Sequence, residues 1–447
     1  MSTDTATAIA DGPRGVPLLG NLPQFARDPL AFFTRLREYP ADQVRWTMGR
    51  TPARFLCHPE LIGELLSSRG TVFEQPDLGF SFKYLMGEGV VTARGADWRR
   101  KRAIVQPAVR PRQVRIHAGT MSAVAQQLAD RWSGGEHIDI QQEMEGVTQR
   151  IAVRTIFGTD AAVDEELIAR SMGVAQRQMG AEFRGLGAIL PDWVRTPGRI
   201  RFKAAVDTLD TEVARLVTAR RTSGEDRDDL LSRLLAARDE KGVPLTDREI
   251  RDESVTLYNA GHETTATTLT WAWYLISRNE AVRGKLVAEL RRELAGRTPD
   301  FDDYGRLTYT ESVIKETLRI RPTVWLNYAV ATEGATLGGE PVEPGTQVWI
   351  SPWATHLDPR WFPAAQEFRP ERWAPDAPDP ITDNSWFPFG GGTRACLGAR
   401  FAMVEAVLVL ATLAQRFHLD VDPGDIRPTV GLTLQPDRAV RATVRPL

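Results

Sequence analysis

Apolar positions along this 447-residue chain recur mostly with helical spacing. From Pro59 onward they return every three or four residues, which is typical of amphipathic helices. The helices predicted in this way are Met121–Trp132, Asp164–Met179, Phe202–Arg221, Asp226–Glu240, Asp247–Ser277 and Tyr309–Ile320. A nearly continuous apolar run predicts one further, buried helix over Leu397–Phe417.

Strand-like alternation is confined to short segments. Val44–Met48 and Ala53–Cys57 flank a Gly-Arg turn, a pattern that predicts a hairpin, and Thr346–Ser351 predicts another strand. We expect residues 1–11 to be disordered. The pattern predicts a mainly α fold with small β-sheets, organised as a single domain over 1–447.

One helix start carries a local signature. Thr246 stands before the helix predicted over Asp247–Ser277, and Glu249 follows three residues later. A threonine and a glutamate at this spacing form a capping box, in which each side chain binds the backbone of the other.

Composition excludes several classes of protein. The chain has a net charge of −2, two cysteines and six histidines, and no two histidines lie three or four residues apart. It therefore lacks a basic footprint for nucleic acid and enough cysteines for an iron–sulfur cluster or a disulfide framework. A metal would have to arrive in a cofactor that needs very few protein ligands.

The N-terminal segment lacks the features of a secretion signal. It has neither a basic region nor an apolar region, and no apolar stretch approaches the roughly 20 residues of a membrane span. We expect a cytoplasmic protein without a membrane span.

The most informative segment is Phe389–Gly398, which contains three consecutive glycines and Cys396. Cys396 precedes the predicted buried helix, where the helix dipole and free backbone N–H groups favour a thiolate. Glycines let the loop approach a flat ligand closely, and Arg394 suits a carboxylate. The alternative for a lone cysteine is a small buried core residue, and that is the interpretation we give Cys57.

The spacing F-x-x-G-x-R-x-C-x-G, set by Phe389, Gly392, Arg394, Cys396 and Gly398, resembles the haem-binding signature of the cytochromes P450. The resemblance implies the cytochrome P450 fold, haem b as the cofactor and Cys396 as its axial thiolate. It further implies a monooxygenase that inserts one oxygen atom from O₂ into a substrate.

Three other segments resemble family motifs in the same order. Glu316 and Arg319 match an E-x-x-R helix pair, which in the family is locked by a later arginine, here Arg372, as a structural triad. Trp98 and Arg102 match a W-x-x-x-R pair for a haem propionate.

The third match is the segment Ala260–Thr265, which resembles the oxygen-binding groove of the family. Thr264 can bond back to the carbonyl of Ala260, and Gly261 lets the helix open there. The resemblance implies that Glu263 brings protons inward from solvent and that Thr264 orders water at the oxygen site.

One position departs from the family pattern. Many members carry an arginine for a propionate after the E-x-x-R helix, and the aligned position here is Ala329. We expect Tyr328 or another donor to take over that contact.

The resemblance places the substrate pocket before the Trp98 helix, in the Gly261 helix and in the segment after E-x-x-R. The candidates are Phe80, Phe82, Leu85, Met86, Val90, Tyr258, Asn259, Val324, Trp325 and Leu326, with Leu432 or Thr433. They are mostly apolar, although the aromatic ones suit a protein core equally well. We therefore predict a hydrophobic small molecule, with a terpenoid of bacterial secondary metabolism first and fatty acids and polyketides as alternatives.

Electrons must come from another protein, since no nucleotide-binding glycine motif follows a strand. We expect a ferredoxin and its reductase as donors and a monomeric enzyme. A basic cluster on the side expected to carry the thiolate would steer an acidic partner, unless it is an ordinary charged surface. Its members are Arg99, Arg100, Lys101, Arg110, Arg112 and Arg115.

Two rival functions share the fold. A peroxide-driven peroxygenase would replace the acid–alcohol pair, and a non-catalytic haem-binding protein would not need it. Both Glu263 and Thr264 are present, which disfavours these alternatives.

Overall fold

A computed structural model of the chain describes residues 8–158, 163–184, 193–225 and 227–447. Helices account for most of this part of the chain, as the apolar pattern predicts. In chain order they are α1 (Leu22–Arg27), α2 (Pro29–Arg37), α3 (Pro59–Ser68), α4 (Phe80–Met86), α5 (Gly95–Val105), α6 (Pro111–Arg131), α7 (Ile140–Phe157), α8 (Glu165–Arg184), α9 (Pro197–Ser223), α10 (Leu230–Ala236), α11 (Asp247–Ser277), α12 (Glu280–Leu294), α13 (Thr308–Ile320), α14 (Pro352–His356) and α15 (Ala399–Ala414). None of the helices in these described ranges is long and apolar enough to cross a membrane.

The strands are short, and most lie near the two ends of the chain. They are β1 (Ile9–Asp11), β2 (Gln43–Met48), β3 (Thr51–Leu56), β4 (Phe73–Glu74), β5 (His137–Asp139), β6 (Asn327–Ala331), β7 (Thr336–Leu337), β8 (Glu340–Pro341), β9 (Gln347–Ile350), β10 (Phe417–Val421), β11 (Pro428–Val430), β12 (Leu434–Pro436) and β13 (Arg441–Pro446). The hairpin predicted at residues 44–57 is β2–β3, with Gln43 opposite Leu56.

The disorder predicted for residues 1–11 is wrong at its C-terminal end. Ile9–Asp11 forms β1 and pairs in parallel with β2, whereas residues 1–7 lie outside the described part of the chain. The strand is only three residues long, too short for alternation to reveal it in the sequence.

The described residues form two compact units. Unit 1 joins the chain up to Asp77 with Lys315–Cys396, and unit 2 joins Leu78–Ile314 with Leu397–Leu447. The organisation of the chain as a single domain stays a prediction.

Unit 1 is built on a sheet with strand order β1-β2-β3-β9-β6-β4. Helix α3 buries Ile62 and Leu65 against strand residues such as Val348 and Ile350. An aromatic cluster lies beside it, in which the rings of Trp46 and Trp349 are 5.4 Å apart.

Unit 2 is built around α11, a helix of 31 residues and therefore about 45 Å long. It begins as predicted: Thr246 accepts from the N–H of Glu249, and the Glu249 carboxylate accepts from the N–H of Thr246 at 2.8 Å. Helices α7 and α9 bury apolar residues such as Phe157 and Val213 in the core of this unit. A sheet of order β10-β13-β5 and the hairpin β11–β12 complete it.

Several predicted helix ends are wrong for local reasons. Helix α6 begins at Pro111, ten residues before the predicted start, because its first turns are polar. Helix α10 spans only Leu230–Ala236, since Asp229 caps it by accepting from the N–H of Ser232 at 2.8 Å and Ala237 is already extended.

Candidate functional site

The loop Phe389–Gly398 in unit 1 is closed by its own backbone. The N–H of Cys396 donates to the carbonyl of Phe389 at 2.9 Å, and the Thr393 hydroxyl donates to the carbonyl of Arg69 at 2.6 Å. Cys396 is exposed, while Arg394 lies half-buried on a 3₁₀ turn over Gly392–Arg394. An exposed thiol on a closed, rigid loop fits the axial ligand of a haem.

The glycines of this loop have a second use that the sequence did not reveal. Gly392 has a φ of +61°, and a Cβ there would lie 2.0 Å from the carbonyl oxygen of Leu66 at the end of α3. A Cβ on Gly391 would press on the Leu66 side chain at 3.0 Å. Within unit 1, these glycines therefore let the loop backbone pack directly against Leu66 of α3, and this contact fixes the loop on that helix.

The helix after the loop begins later than predicted. Its first residue is Ala399, with Gly398 as N-cap, and Phe417 belongs to β10 instead of the helix. Cys396 thus precedes the helix by three residues. The helix dipole acts on it more weakly than expected, since that effect fades within one turn.

Cys57 has the opposite environment. It is buried, its Sγ lies 3.7 Å from the Leu36 carbonyl oxygen, and burial raises the pKa of its thiol to about 12. This agrees with the structural role predicted for it.

The predicted triad is assembled in unit 1. Glu316 and Arg319 are fully buried and joined by two bonds of 2.8 Å, and Arg372 Nε lies 3.2 Å from Glu316 Oε1. Arg319 also donates to the carbonyls of His356 and Ala365 at 2.9 and 2.7 Å.

The sequence did not reveal two further donors to Glu316. The indole N–H of Trp373 reaches Oε2 at 3.0 Å, and the backbone N–H of Arg369 reaches Oε1 at 2.9 Å. Both belong to the loop that supplies Arg372, and no sequence pattern marks them as donors to a carboxylate about 55 residues away.

In unit 2, α5 carries the other pair predicted for a haem propionate. Trp98 is buried with Val90 and Ala93, and the Arg102 guanidinium lies 5.8 Å from the Trp98 ring centroid. The two side chains therefore share one face of α5, as their spacing predicts.

The groove segment of α11 stays helical through Gly261. Thr264 donates to the carbonyl of Ala260 at 2.8 Å, which is the back-bond predicted from the sequence. Thr265 makes the same bond to Gly261 at 3.1 Å. Ala260 is exposed, Thr264 is half-buried, and a Cβ on Gly261 would meet nothing within 4 Å, so this face of the helix is less tightly packed than the face that carries Glu263.

Glu263 points to a different side of α11 and is buried. Its Oε1 accepts from the hydroxyl of Thr433 at 2.8 Å and from the amide of Gln435 at 3.2 Å. Burial raises the pKa of its carboxyl, and nearby Glu145 raises it further, while the two hydrogen bonds lower it. These partners lie about 170 residues away along the chain, so no local pattern could reveal them.

A second acid adjoins the groove. Glu405 of α15 is fully buried, its Oε2 lies 3.5 Å from the Thr265 hydroxyl, and burial raises the pKa of its carboxyl well above the ordinary value. The sequence did not single it out, because it is a lone acid within a mostly apolar helix.

The segment between α4 and α5 is attached to α11 through its backbone. Asp252 accepts from the N–H of Glu88 at 3.0 Å, and Glu253 accepts from the N–H of Val90 at 3.1 Å. Gly87 allows this closeness, since a Cβ there would lie 2.2 Å from the Asp252 carboxylate.

Several predicted substrate-pocket residues of unit 2 are packed into its core. Leu85, Met86 and Tyr258 expose 2% of their surface or less, and Phe80 and Phe82 pack against the same cluster. For these residues the structure favours the core alternative, which a sequence cannot separate from a ligand-facing position.

The remaining pocket candidates are divided between other environments. Val90 is buried beside Trp98, and Asn259 accepts from the Gln176 amide at 3.0 Å. Trp325 is buried in the aromatic cluster of unit 1, where its ring lies 6.5 Å from that of Phe33. Val324 is exposed, whereas Leu326 and Leu432 are half-buried.

The position of the family's propionate arginine is filled by Ala329, which is buried in β6. The neighbouring Tyr328 stacks on Trp349 at 4.2 Å and 10°. Its role as a replacement donor stays a prediction.

The predicted basic cluster is smaller than its sequence suggests. Lys101 is buried and pairs with Asp97 at 2.9 Å, and Arg100 bonds to Asp239 and Glu249. Neighbouring residues on a helix point in different directions, so adjacent cations do not share a face. The exposed members are Arg99, Arg110, Arg112 and Arg115.

Comparison with known proteins gives one family. The profile of the cytochromes P450 matches residues 11–440. Cyclooctatin synthase of Streptomyces melanosporofaciens is 36% identical, over 96% of this chain and 94% of that protein. Pentalenene oxygenase of Streptomyces avermitilis is 34% identical over 99% and 98%, and cyclooctat-9-en-7-ol 5-monooxygenase of S. melanosporofaciens is 35% identical over 92% and 90%.

Proposed function

The chain belongs to the cytochrome P450 family and is a monooxygenase, and on that premise we propose that it oxidises a terpenoid in bacterial secondary metabolism. The observation that carries this proposal is its similarity, over at least nine-tenths of both chains, to three Streptomyces proteins named for such compounds.

In this proposal the haem is held by the residues that the sequence motifs single out. Cys396 supplies the thiolate, and Trp98, Arg102 and Arg394 bind the propionates. The exposed thiol of a backbone-closed loop supports the first assignment, and the placement of Trp98 and Arg102 on one face of α5 supports theirs. A haem held by these residues would supply the activation of dioxygen, by which one oxygen atom would enter the substrate and the other would leave as water.

The protein's own part in the chemistry is to move protons. Thr264 holds its hydroxyl on the half-buried face of α11, where it can order water. Glu263, whose raised pKa favours a protonated carboxyl, transfers protons from the solvent side.

A test of the ligand uses the two cysteines as a matched pair. Cys396→Ser should abolish the red-shifted Soret band of the reduced carbon monoxide complex, because a hydroxyl does not replace a thiolate. Cys57→Ser, at the buried cysteine, should keep it. Retention of the band in Cys396→Ser would refute the assignment.

A test of the substrate class is a binding screen that reads the shift in haem spin state. Terpenes and terpene alcohols should produce the shift, and their conversion should add one oxygen atom to the product. A shift produced only by fatty acids or macrolides would refute the terpenoid proposal.

The electron donor, we further propose, is a ferredoxin that docks on the exposed arginines Arg99, Arg110 and Arg112; Arg115, also exposed, is paired with Asp302 at 2.7 Å. The rate of electron transfer should then fall as ionic strength rises. Arg112→Glu should slow it, while Arg201→Glu, at an exposed arginine on α9, should not. A rate independent of salt would refute this docking surface.

A further inference from the structure

The C-terminal hairpin β11–β12 is attached to one face of α11. Trp271 donates its indole N–H to the carbonyl of Leu434 at 2.7 Å, and one turn earlier the hydroxyls of Thr267 and Thr433 are 3.4 Å apart. Residues four apart lie on one helix face, so these contacts form a continuous line along α11.

Glu263 is the next residue on this line, one further turn toward the start of α11. It receives the Thr433 hydroxyl at 2.8 Å and the Gln435 amide at 3.2 Å, both on Oε1. Its other oxygen, Oε2, is buried and has no hydrogen-bond partner among the described residues. The hairpin therefore holds one oxygen of the carboxyl and leaves the second available.

We infer that Thr433 and Gln435 are positioning residues: they fix Glu263 through Oε1 and leave Oε2 as the oxygen that takes up and releases the proton. The inference rests on the relay role proposed for Glu263. The chemistry is a simple proton transfer, in which Oε2 releases its proton inward and is reprotonated from water.

The two donors have a defined electrostatic effect. Hydrogen bonds from neutral donors stabilise the carboxylate form, so they assist release of the proton from a buried acid. Helix α7 brings one titratable group toward Glu263, the carboxyl of Glu145, which opposes ionisation of Glu263. The hairpin donors to Glu263, Thr433 and Gln435, are both neutral. Glu405 of α15 faces Thr265.

The first test reads the protonation of Glu263 directly, without turnover. In the haem-loaded protein, the infrared band of its carboxyl is identified by its loss in Glu263→Gln, and its titration is followed against pH. Thr433→Val removes one donor with little change in volume, so the midpoint should rise by about one pH unit, a tenfold change in proton affinity. Thr433→Ser, which keeps the hydroxyl, should restore it.

A matched control uses the same substitution elsewhere on α11. Thr270 is buried, and its hydroxyl donates to the carbonyl of Ala266 at 2.8 Å. Thr270→Val should leave the midpoint unchanged. Gln435→Met tests the second donor at a half-buried position, where a change in volume is tolerated more easily.

The second test measures product formed per pair of electrons consumed. Thr433→Val should lower this ratio severalfold and increase the solvent isotope effect on turnover. If Glu263→Gln leaves the ratio unchanged, the proposed relay itself is wrong. Suppose instead that Glu263→Gln lowers the ratio. The positioning inference is then wrong if Thr433→Val leaves both the ratio and the midpoint unchanged. It is also wrong if Thr433→Val shifts the midpoint but leaves the ratio unchanged.

Discussion

Two buried carboxylates, Glu316 in unit 1 and Glu263 in unit 2, have contrasting surroundings. Both oxygens of Glu316 are occupied, by the guanidinium groups of Arg319 and Arg372 and by the indole of Trp373. Glu263 meets no cation among its described hydrogen-bond partners; two neutral donors bind one oxygen, and the other has none. The charge of the Glu316 carboxylate is therefore balanced by two guanidinium groups, whereas Glu263 is held in place by hydrogen bonds without a counter-charge.

The difference separates a structural acid from one that can move protons. A carboxylate locked between two guanidinium groups cannot change its charge without leaving a buried cation unpaired. A buried carboxyl with neutral donors can exist in either form, and its preference depends on burial and a few hydrogen bonds.

The largest effect should follow Glu316→Gln. It keeps the shape of the side chain but leaves two buried guanidinium groups without a counter-charge, which should lower the free energy of unfolding by about 3–5 kcal/mol. Denaturant unfolding and the haem content of the purified variant measure this. If Glu316→Gln lowers the free energy of unfolding by less than about 1 kcal/mol, Glu316 and Glu263 differ less than their contacts indicate.

The second largest effect should be a pH dependence of the free energy of unfolding that comes from Glu253. Burial raises the pKa of its carboxyl from the ordinary 4.5 to about 7, with Lys101 and the Val90 N–H acting in the opposite direction. The folded protein thus favours the protonated form. The associated stability is complete below the ordinary pKa and is lost as pH rises to about 7, by up to about 3 kcal/mol.

Unfolding measured from pH 5 to pH 8 tests this dependence. Glu253→Gln should flatten the part of the profile that Glu253 contributes, whereas Glu240→Gln, at an exposed glutamate, should not. An unchanged profile in Glu253→Gln would contradict the assignment.

Trp373→Phe should have a smaller effect. It removes one donor from Glu316 Oε2 and so makes this carboxylate more like Glu263. The free energy of unfolding should fall by about 1–2 kcal/mol, because the lost hydrogen bond is made to a charged group. The fall should be no larger because both guanidinium groups remain. A loss as large as that of Glu316→Gln would mean that the indole matters through packing.

Glu263→Gln should have the smallest effect on stability, within about 1 kcal/mol, because its amide can still accept from Thr433. Coupled product formation should nevertheless fall by about a hundredfold, the scale of an acid–base contribution. Parallel unfolding and turnover measurements would show whether the two effects separate as the contacts indicate.

Features with local causes were predictable from the sequence. The hairpin at 43–56, the capping box at Thr246 and the back-bond of Thr264 each depend on residues within a few positions of one another. Helix ends were less predictable, since Pro111 and Asp229 fix them by capping and dihedral preference instead of apolar period.

Contacts between distant segments could not be predicted. Glu263 meets Thr433 and Asp252 meets Glu88 only after the chain has folded, and neither pair has a local signature. The same limit explains Leu85 and Tyr258, whose apolar side chains suit a core and a ligand equally well in sequence.

The attachment of the segment before α5 has a consequence for divergence among relatives. Asp252 and Glu253 bind this segment through the N–H groups of Glu88 and Val90, and Lys101 donates to the Glu88 carbonyl. Backbone groups are the same for every residue except proline, so the exposed side chain at 88 can be exchanged without releasing the segment, whereas Val90 is also held by its packing against Trp98. Evolution, or a mutagenesis library that keeps Gly87 and Gly89, whose added Cβ atoms would meet Asp252 and Thr256, can therefore vary the exposed residue 88 while the segment keeps its place.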